Sequence, residues 1–167
     1  VKLLKKAWSD HLVLLFRGQK LDDEDLLRAS GKFGPLQEGG AVRYFRNGGF
    51  EEGRGLFSRH AEITVISNLN DEGNPVRRNA GLGSSEVIWH SDNSYVKTPP
   101  AGSMLYAIEI PENGGGDTSF ANQYLAYETL PYIMQVAIDG KQQRHDASRN
   151  SAGVLRPTAN LPTTPEE

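Results

Sequence analysis

The sequence predicts a β-rich α+β domain, in which a jelly roll or related double-sheet barrel carries a few flanking helices. Three observations lead there. Short β-branched or apolar runs recur along the chain: "LVLLF" at 12–16, "EITVISN" at 62–68, "VIW" at 87–89 and "GSMLYAIEIP" at 102–111. Polar, Gly-rich loops separate them, among them "LNDEGNPVRRNAGLGSS" at 69–85. The regular strand–helix alternation of a doubly wound α/β fold is missing.

The elements follow in order. Leu4, Ala7, Trp8 and His11 fall at helical spacing, so residues 1–11 read as a short amphipathic helix. "LVLLF" reads as a buried strand, closed by the turn residues Arg17-Gly18-Gln19. "LDDEDLLRASGKFG" at 21–34 reads as a helix: Asp22 caps it, Asp23, Glu24 and Asp25 suit its positive end, and Gly34-Pro35 stops it. Residues 37–60 are Gly-rich and read as loop with at most one strand. "ENGGGDTSF" at 112–120 is a tight turn leading into a short strand. "QYLAYETLPYIMQVAIDG" at 123–140 reads as helix, with Pro131 opening a second segment and Gly140 ending it. Leu130, Ile133, Met134, Ala137 and Ile138 form one apolar stripe there. Beyond residue 145 the chain is polar and without periodicity.

Composition narrows the function. A chain of 167 residues, 37% hydrophobic and 23% charged, suits one soluble domain with a core. No linker divides it, so residues 1–167 are expected to be a single domain, cytoplasmic in location. A net charge of -3 gives no basic footprint for nucleic acid. No stretch has the apolar length of a membrane span. With no cysteine, the chain has no disulfide scaffold, Cys-ligated zinc or Cys nucleophile. The partners expected are small molecules, and a homo-oligomer stays open.

The chemistry centres on "SSEVIWHSDNSY" at 84–95. On an extended backbone, side chains two residues apart share a face, which places His90 beside Asp92. A surface ion pair would account for that. So would a pair of metal ligands, since imidazole plus carboxylate is two-thirds of the facial triad of non-haem Fe(II) oxygenases. That triad leaves three coordination positions open for a chelating co-substrate and O2. The residues alone leave both readings standing.

A longer stretch adds to them. "VIWHSDNSYVKTPPAGSMLYAIEIPENGGGDTSFANQYLAYETLP" resembles the central signature of the taurine dioxygenase-like family of Fe(II)/2-oxoglutarate-dependent dioxygenases. The likeness takes in Trp89-His90-Ser91-Asp92, Ser94-Tyr95, Pro99-Pro100, Gly115-Gly116-Asp117-Thr118 and Ala126-Tyr127. Upstream, "LVLLFRGQKLDDEDLLRASGKFG" and "HAEITVISNLNDEG" are similar to the family as well. The resemblance implies a double-stranded β-helix (jelly-roll, cupin-like) core, with Fe(II) on His90 and Asp92 as the catalytic centre. It also implies a hydrogen bond from Thr118 to a carboxylate of 2-oxoglutarate. The glycines before Thr118 make a turn in either reading.

The implied activity consumes O2 and 2-oxoglutarate, releases succinate and CO2, and hydroxylates or desaturates a small organic acid, sulfonate or amino-acid derivative. Asp92 fills the position that a halogenase of this type leaves vacant for chloride, so oxygenation is expected. The family's third ligand is a His far downstream, followed by an Arg that pairs with 2-oxoglutarate. The supplied sequence stops at Glu167 before either, so the domain is expected to be incomplete at its C-terminus. His145 lies too early and reads as structural, as does His11. Asn93, next to the pair, and His60, at a loop end, are candidates for substrate contact. Arg43, Arg46, Arg54 and Arg59 read mainly as solvated loop residues. The rival reading is a cupin-like metal- or sugar-binding module without oxygenase activity.

Overall fold

A computed structural model of the chain describes residues 1–39, 59–67, 74, 88–146, 148–149 and 155. They fall into two compact units. One joins Val1–Lys20 to Tyr106–Arg144, and the other joins Leu21–Leu105 to His145–Glu167.

In the first unit, helix α1 spans Lys2–His11. Lys6 and Asp10 meet one turn apart, Nζ to Oδ2 at 2.6 Å, and His11 sits in the last turn where the helix dipole favours a basic group. The helix ends at Leu12, whose N–H donates to Trp8 O at 2.7 Å. Leu12 takes a left-handed backbone, φ 65°, which turns the chain out of the helix.

Helix α2, Asp23–Ser30, belongs to the second unit. The Asp22 carboxylate accepts the Asp25 N–H at 2.7 Å, and the Asp25 carboxylate reaches back to the Asp22 N–H at 3.5 Å. This reciprocal capping box, with Asp23, Glu24 and Asp25 in the first turn, is the N-terminal chemistry expected at 22–25. The far end needs a correction. The α-helix stops at Gly31, not at Gly34-Pro35. Lys32 N–H then bonds Ala29 O at 3.1 Å and Phe33 N–H bonds Ser30 O at 2.9 Å, the i→i+3 pattern of a tightened last turn.

The long helical segment near the C-terminus of the first unit breaks where Pro131 demands it. Helix α3 spans Gln123–Glu128 and helix α4 spans Tyr132–Ile138. Asn122 caps α3, its Oδ1 accepting the Leu125 N–H at 3.1 Å. Pro131 pushes the preceding residue out of the helical region, and its own carbonyl accepts from Met134 N and Gln135 N, at 2.8 and 3.2 Å. The Gln135 amide folds back and donates to Leu130 O at 3.0 Å and to Tyr127 O at 3.2 Å, the latter also accepting the Leu130 N–H at 3.1 Å. Gly140, φ 67°, follows the end of α4 in the left-handed conformation that a helix C-terminus favours.

The expected strands differ more. Among the described residues, 12–16, 88–91 and 102–111 join no ladder, with bends at Leu12, Trp89 and Ile108, and in 62–67 only Thr64 forms a β-bridge. The short strand expected after the 112–116 turn is also unpaired. "LVLLF" is not buried as expected: Leu12 and Leu14 are half-buried while Val13, Leu15 and Phe16 are exposed. Ile88 and Trp89 are likewise exposed, so the pair at 90–92 does not follow a buried strand. Ile108 and Ile110, 88% and 71% exposed, show the same for 102–111. A strand's N–H and C=O groups are satisfied only by another segment, and no described segment lies in register with these runs. An antiparallel bridge pairs Arg149 with Leu155.

Among the described residues no side chain is fully buried, and the apolar stripe of α4 faces outward, with Ile133 76% exposed. In the second unit, the Gly39 N–H donates to Ala61 O at 2.9 Å, and Thr64 lies so close that a side chain at position 39 would collide with its hydroxyl. Ser30 Oγ approaches Met104 Sδ at 3.5 Å, and Gln37 Nε2 approaches Thr98 O at 3.4 Å. Among the described residues no helix is long and apolar enough to cross a membrane.

The capping box gives a first test. Asp22→Ala should lower stability by about 1 kcal/mol, and Asp22→Asn, which keeps a capping oxygen, by only a fraction of that. Urea unfolding followed by circular dichroism measures both. Equal midpoints for wild type and Asp22→Ala would show that the cap contributes nothing.

Candidate functional site

The chain bends at Trp89, carries no regular structure at His90 and Ser91, and enters a turn at Asp92–Tyr95. Two contacts fix the imidazole. Nδ1 lies 2.7 Å from Ile88 O, and Nε2 lies 3.1 Å from Asp92 Oδ1. A carbonyl can only accept, so Nδ1 carries the proton toward Ile88. That leaves Nε2 facing the carboxylate. The side chains at 90 and 92 therefore meet, over a turn and not on the extended strand that their spacing suggested.

The pair suits a metal on two counts. Metal–N and metal–O bonds of about 2.0–2.2 Å at a right angle separate two donor atoms by about 3.0 Å, close to the distance observed. A ligating His usually donates its other N–H to a carbonyl or carboxylate, which fixes the tautomer. The Ile88 carbonyl fills that role here. An imidazolium–carboxylate ion pair would have the same geometry. Both side chains reach solvent, His90 at 40% and Asp92 at 74% exposure. Among the described residues no group of three His, Cys, Asp or Glu side chains could hold a metal.

Asn93 has a left-handed backbone, φ 52°. Its side-chain oxygen accepts the Tyr95 hydroxyl at 3.3 Å, and its carbonyl accepts the Val96 N–H at 3.1 Å. Sequence reading placed Asn93 beside the pair but missed this turn. The signal was available, since Asn tolerates φ > 0 better than most residues and Asp-Asn-Ser is a turn-forming run.

His60 lies in the same unit, half-buried beside the first turn of α2. Its Nε2 is 3.5 Å from Glu24 Oε1 and accepts from Arg59 Nε at 3.2 Å. Arg59 also pairs directly with Glu24. The closer Arg59–Glu24 contact takes most of the charge interaction, so Arg59 does more than solvate a loop. Glu24 was read only as a helix-dipole residue, and no local pattern announces a partner 35 positions away. Arg43, Arg46 and Arg54 lie outside the described residues.

Thr118 belongs to the other unit, exposed on extended backbone. The turn before it closes with Gly114 N–H on Pro111 O at 3.4 Å. Gly114, Gly115 and Gly116 all have positive φ, at 75°, 101° and 70°. Three such residues in succession require glycine. His145 and His11 are exposed, and neither belongs to a group of three potential metal ligands among the described residues.

The sequence profile of the Taurine catabolism dioxygenase TauD, TfdA family matches residues 1–166, and the chain belongs to that family. The family comprises 2-oxoglutarate-dependent dioxygenases, which are oxidoreductases. Pentalenolactone F synthase of Streptomyces avermitilis is 33% identical over 93% of this chain and 47% of its own length. The alpha-ketoglutarate-dependent 2,4-dichlorophenoxyacetate dioxygenase of Cupriavidus pinatubonensis is 32% identical over 88% of this chain and 49% of its own. The (S)-phenoxypropionate/alpha-ketoglutarate-dioxygenase of Sphingobium herbicidovorans is 27% identical, over 85% and 43% respectively. The chain thus spans about half the length of the curated relatives it matches. No solved structure matches it significantly.

The triple-glycine turn gives the second test. Gly115→Ala should cost about 1 kcal/mol or more, because φ near 101° is closed to a residue with a Cβ. Chemical denaturation of the variant and of Gly34→Ala, whose Cβ would meet nothing within 4 Å, separates the backbone effect from a general loss of glycine. Equal midpoints for the two variants would show that position 115 has no special conformational demand.

Proposed function

We propose that the full-length protein is an Fe(II)- and 2-oxoglutarate-dependent dioxygenase acting on a small organic substrate, with a double-stranded β-helix core. Family membership across residues 1–166 carries this reading. The His90–Asp92 geometry supports it, because Nε2 and Oδ1 are spaced as two neighbouring ligands of one metal.

In this reading His90 and Asp92 hold the iron, and Ile88 O keeps His90 in the tautomer that offers Nε2. Bound there, Fe(II) would supply the O2 activation that couples decarboxylation of 2-oxoglutarate, giving succinate and CO2, to oxidation of the substrate. Thr118, presented by the glycine turn, would donate its hydroxyl to a carboxylate of 2-oxoglutarate. Asn93 and His60 are the substrate contacts proposed. Asn93 Oδ1 is engaged by Tyr95, so a substrate contact would fall to its amide N–H2. Two relatives named above are named for carboxylate substrates, and another, from Schizosaccharomyces pombe, is a putative sulfonate dioxygenase. A small carboxylate or sulfonate is therefore the substrate class proposed, with hydroxylation or desaturation as the outcome.

The test is succinate release by the full-length protein with Fe(II), O2 and 2-oxoglutarate, screened against small carboxylates and sulfonates. Substrate-stimulated succinate is expected. His90→Ala and Asp92→Ala should each reduce it by more than the ~10–100-fold typical of losing an outer-shell partner. Metal binding without succinate release under any condition would favour a cupin-like binding module. Unchanged product yield in Asp92→Ala would remove that residue from the ligand set.

A further inference from the structure

We propose that Asn93 is a positioning residue for the His90–Asp92 pair, acting through its backbone conformation and the Tyr95 hydroxyl. The inference rests on the reading of His90 and Asp92 as metal ligands. It concerns the turn that begins at the second ligand.

On an extended backbone, alternate side chains share a face. If the run through His90 and Asp92 continued, Ser94 would be the third side chain on that face. The turn at Asp92–Tyr95 prevents this. Asn93 takes φ 52°, and the bond from Val96 N–H to Asn93 O closes the turn at 3.1 Å. Ser94 lies inside this turn and so does not take the place beside the carboxylate that alternation would give it. Other L-residues resist this conformation, and Asn tolerates it because its short polar side chain bonds locally. Here the local partner is Tyr95, whose hydroxyl donates to Asn93 Oδ1 at 3.3 Å in a partly buried contact. In this proposal the turn that Asn93 stabilises holds Asp92, its first residue, in place beside His90. Chelation depends on that placement, since the two donor atoms must stay near 3 Å apart to share one metal.

The position imposes two separable demands. The backbone needs a residue that accepts positive φ. The side chain needs an acceptor for Tyr95. Asn93→Gly meets the first and not the second; Asn93→Ala and Asn93→Val meet neither, Val with the greater strain.

The experiment titrates the full-length protein anaerobically with Co2+ alone, read by its visible absorption, with thermal unfolding recorded for each variant. Wild type should bind, and His90→Ala should lose binding. Asn93→Val should bind about tenfold more weakly, the scale that a left-handed penalty implies, and Asn93→Ala should fall between Val and wild type. Asn93→Gly should stay within about threefold of wild type. Tyr95→Phe should weaken binding by a few-fold without changing the fold. If Asn93→Val does not fold, the order wild type, Gly, Ala carries the same test. Equal Co2+ affinity in wild type and Asn93→Ala would overturn the proposal and leave the metal site standing. So would an Asn93→Gly variant as weak as Asn93→Ala. A wild-type protein that binds no Co2+ would overturn the ligand reading and this proposal together.

Discussion

The N-terminus of α2 illustrates the constraint on which the described structure depends. The first amides of a helix have no acceptor within it, so a nearby group must supply one. Asp22 and Asp25 do so reciprocally. Asn122 performs the same service for α3, and Gln135 serves the carbonyls at its other end. Each helix is built from backbone groups whose partners lie within a few residues. The extended runs have no such recourse. Strand pairing needs a second segment, and among the described residues 12–16 and 102–111 join no ladder while the helices close.

The candidate site obeys the same rule on a smaller scale. His90 is held by the carbonyl two residues before it and the carboxylate two residues after it. Asn93 is held by the hydroxyl two residues on. The contacts described from Ile88 to Val96 thus join residues two or three positions apart. Thr118 is presented in the same manner by glycines immediately before it.

What was legible in the sequence divides along that line. The start of α2, the break at Pro131 and the Gly140 terminus were readable because caps, prolines and glycines act within a turn. The nearness of His90 and Asp92 was readable from their spacing, but the strand inferred to carry them was not found: the chain bends at Trp89 and turns from Asp92. The end of α2 was misplaced by one turn, since a 3₁₀-like continuation masks the true stop at Gly31. Burial of "LVLLF" was also misread: alternation and hydrophobicity mark a segment that can be covered, but covering depends on a partner. The tie between Glu24 and Arg59 was not readable at all, because it joins residues from distant parts of the chain.

The back-folded amide of Gln135 has a mechanical consequence. Pro131 leaves α3 and α4 without a continuous hydrogen-bond ladder, and such a joint would normally flex. One side chain on α4 grips carbonyls on the far side of the proline, so bending would have to break bonds to Tyr127 and Leu130 together. The two short helices consequently behave as a braced elbow. A push on either arm is transmitted to the other instead of being absorbed at the joint.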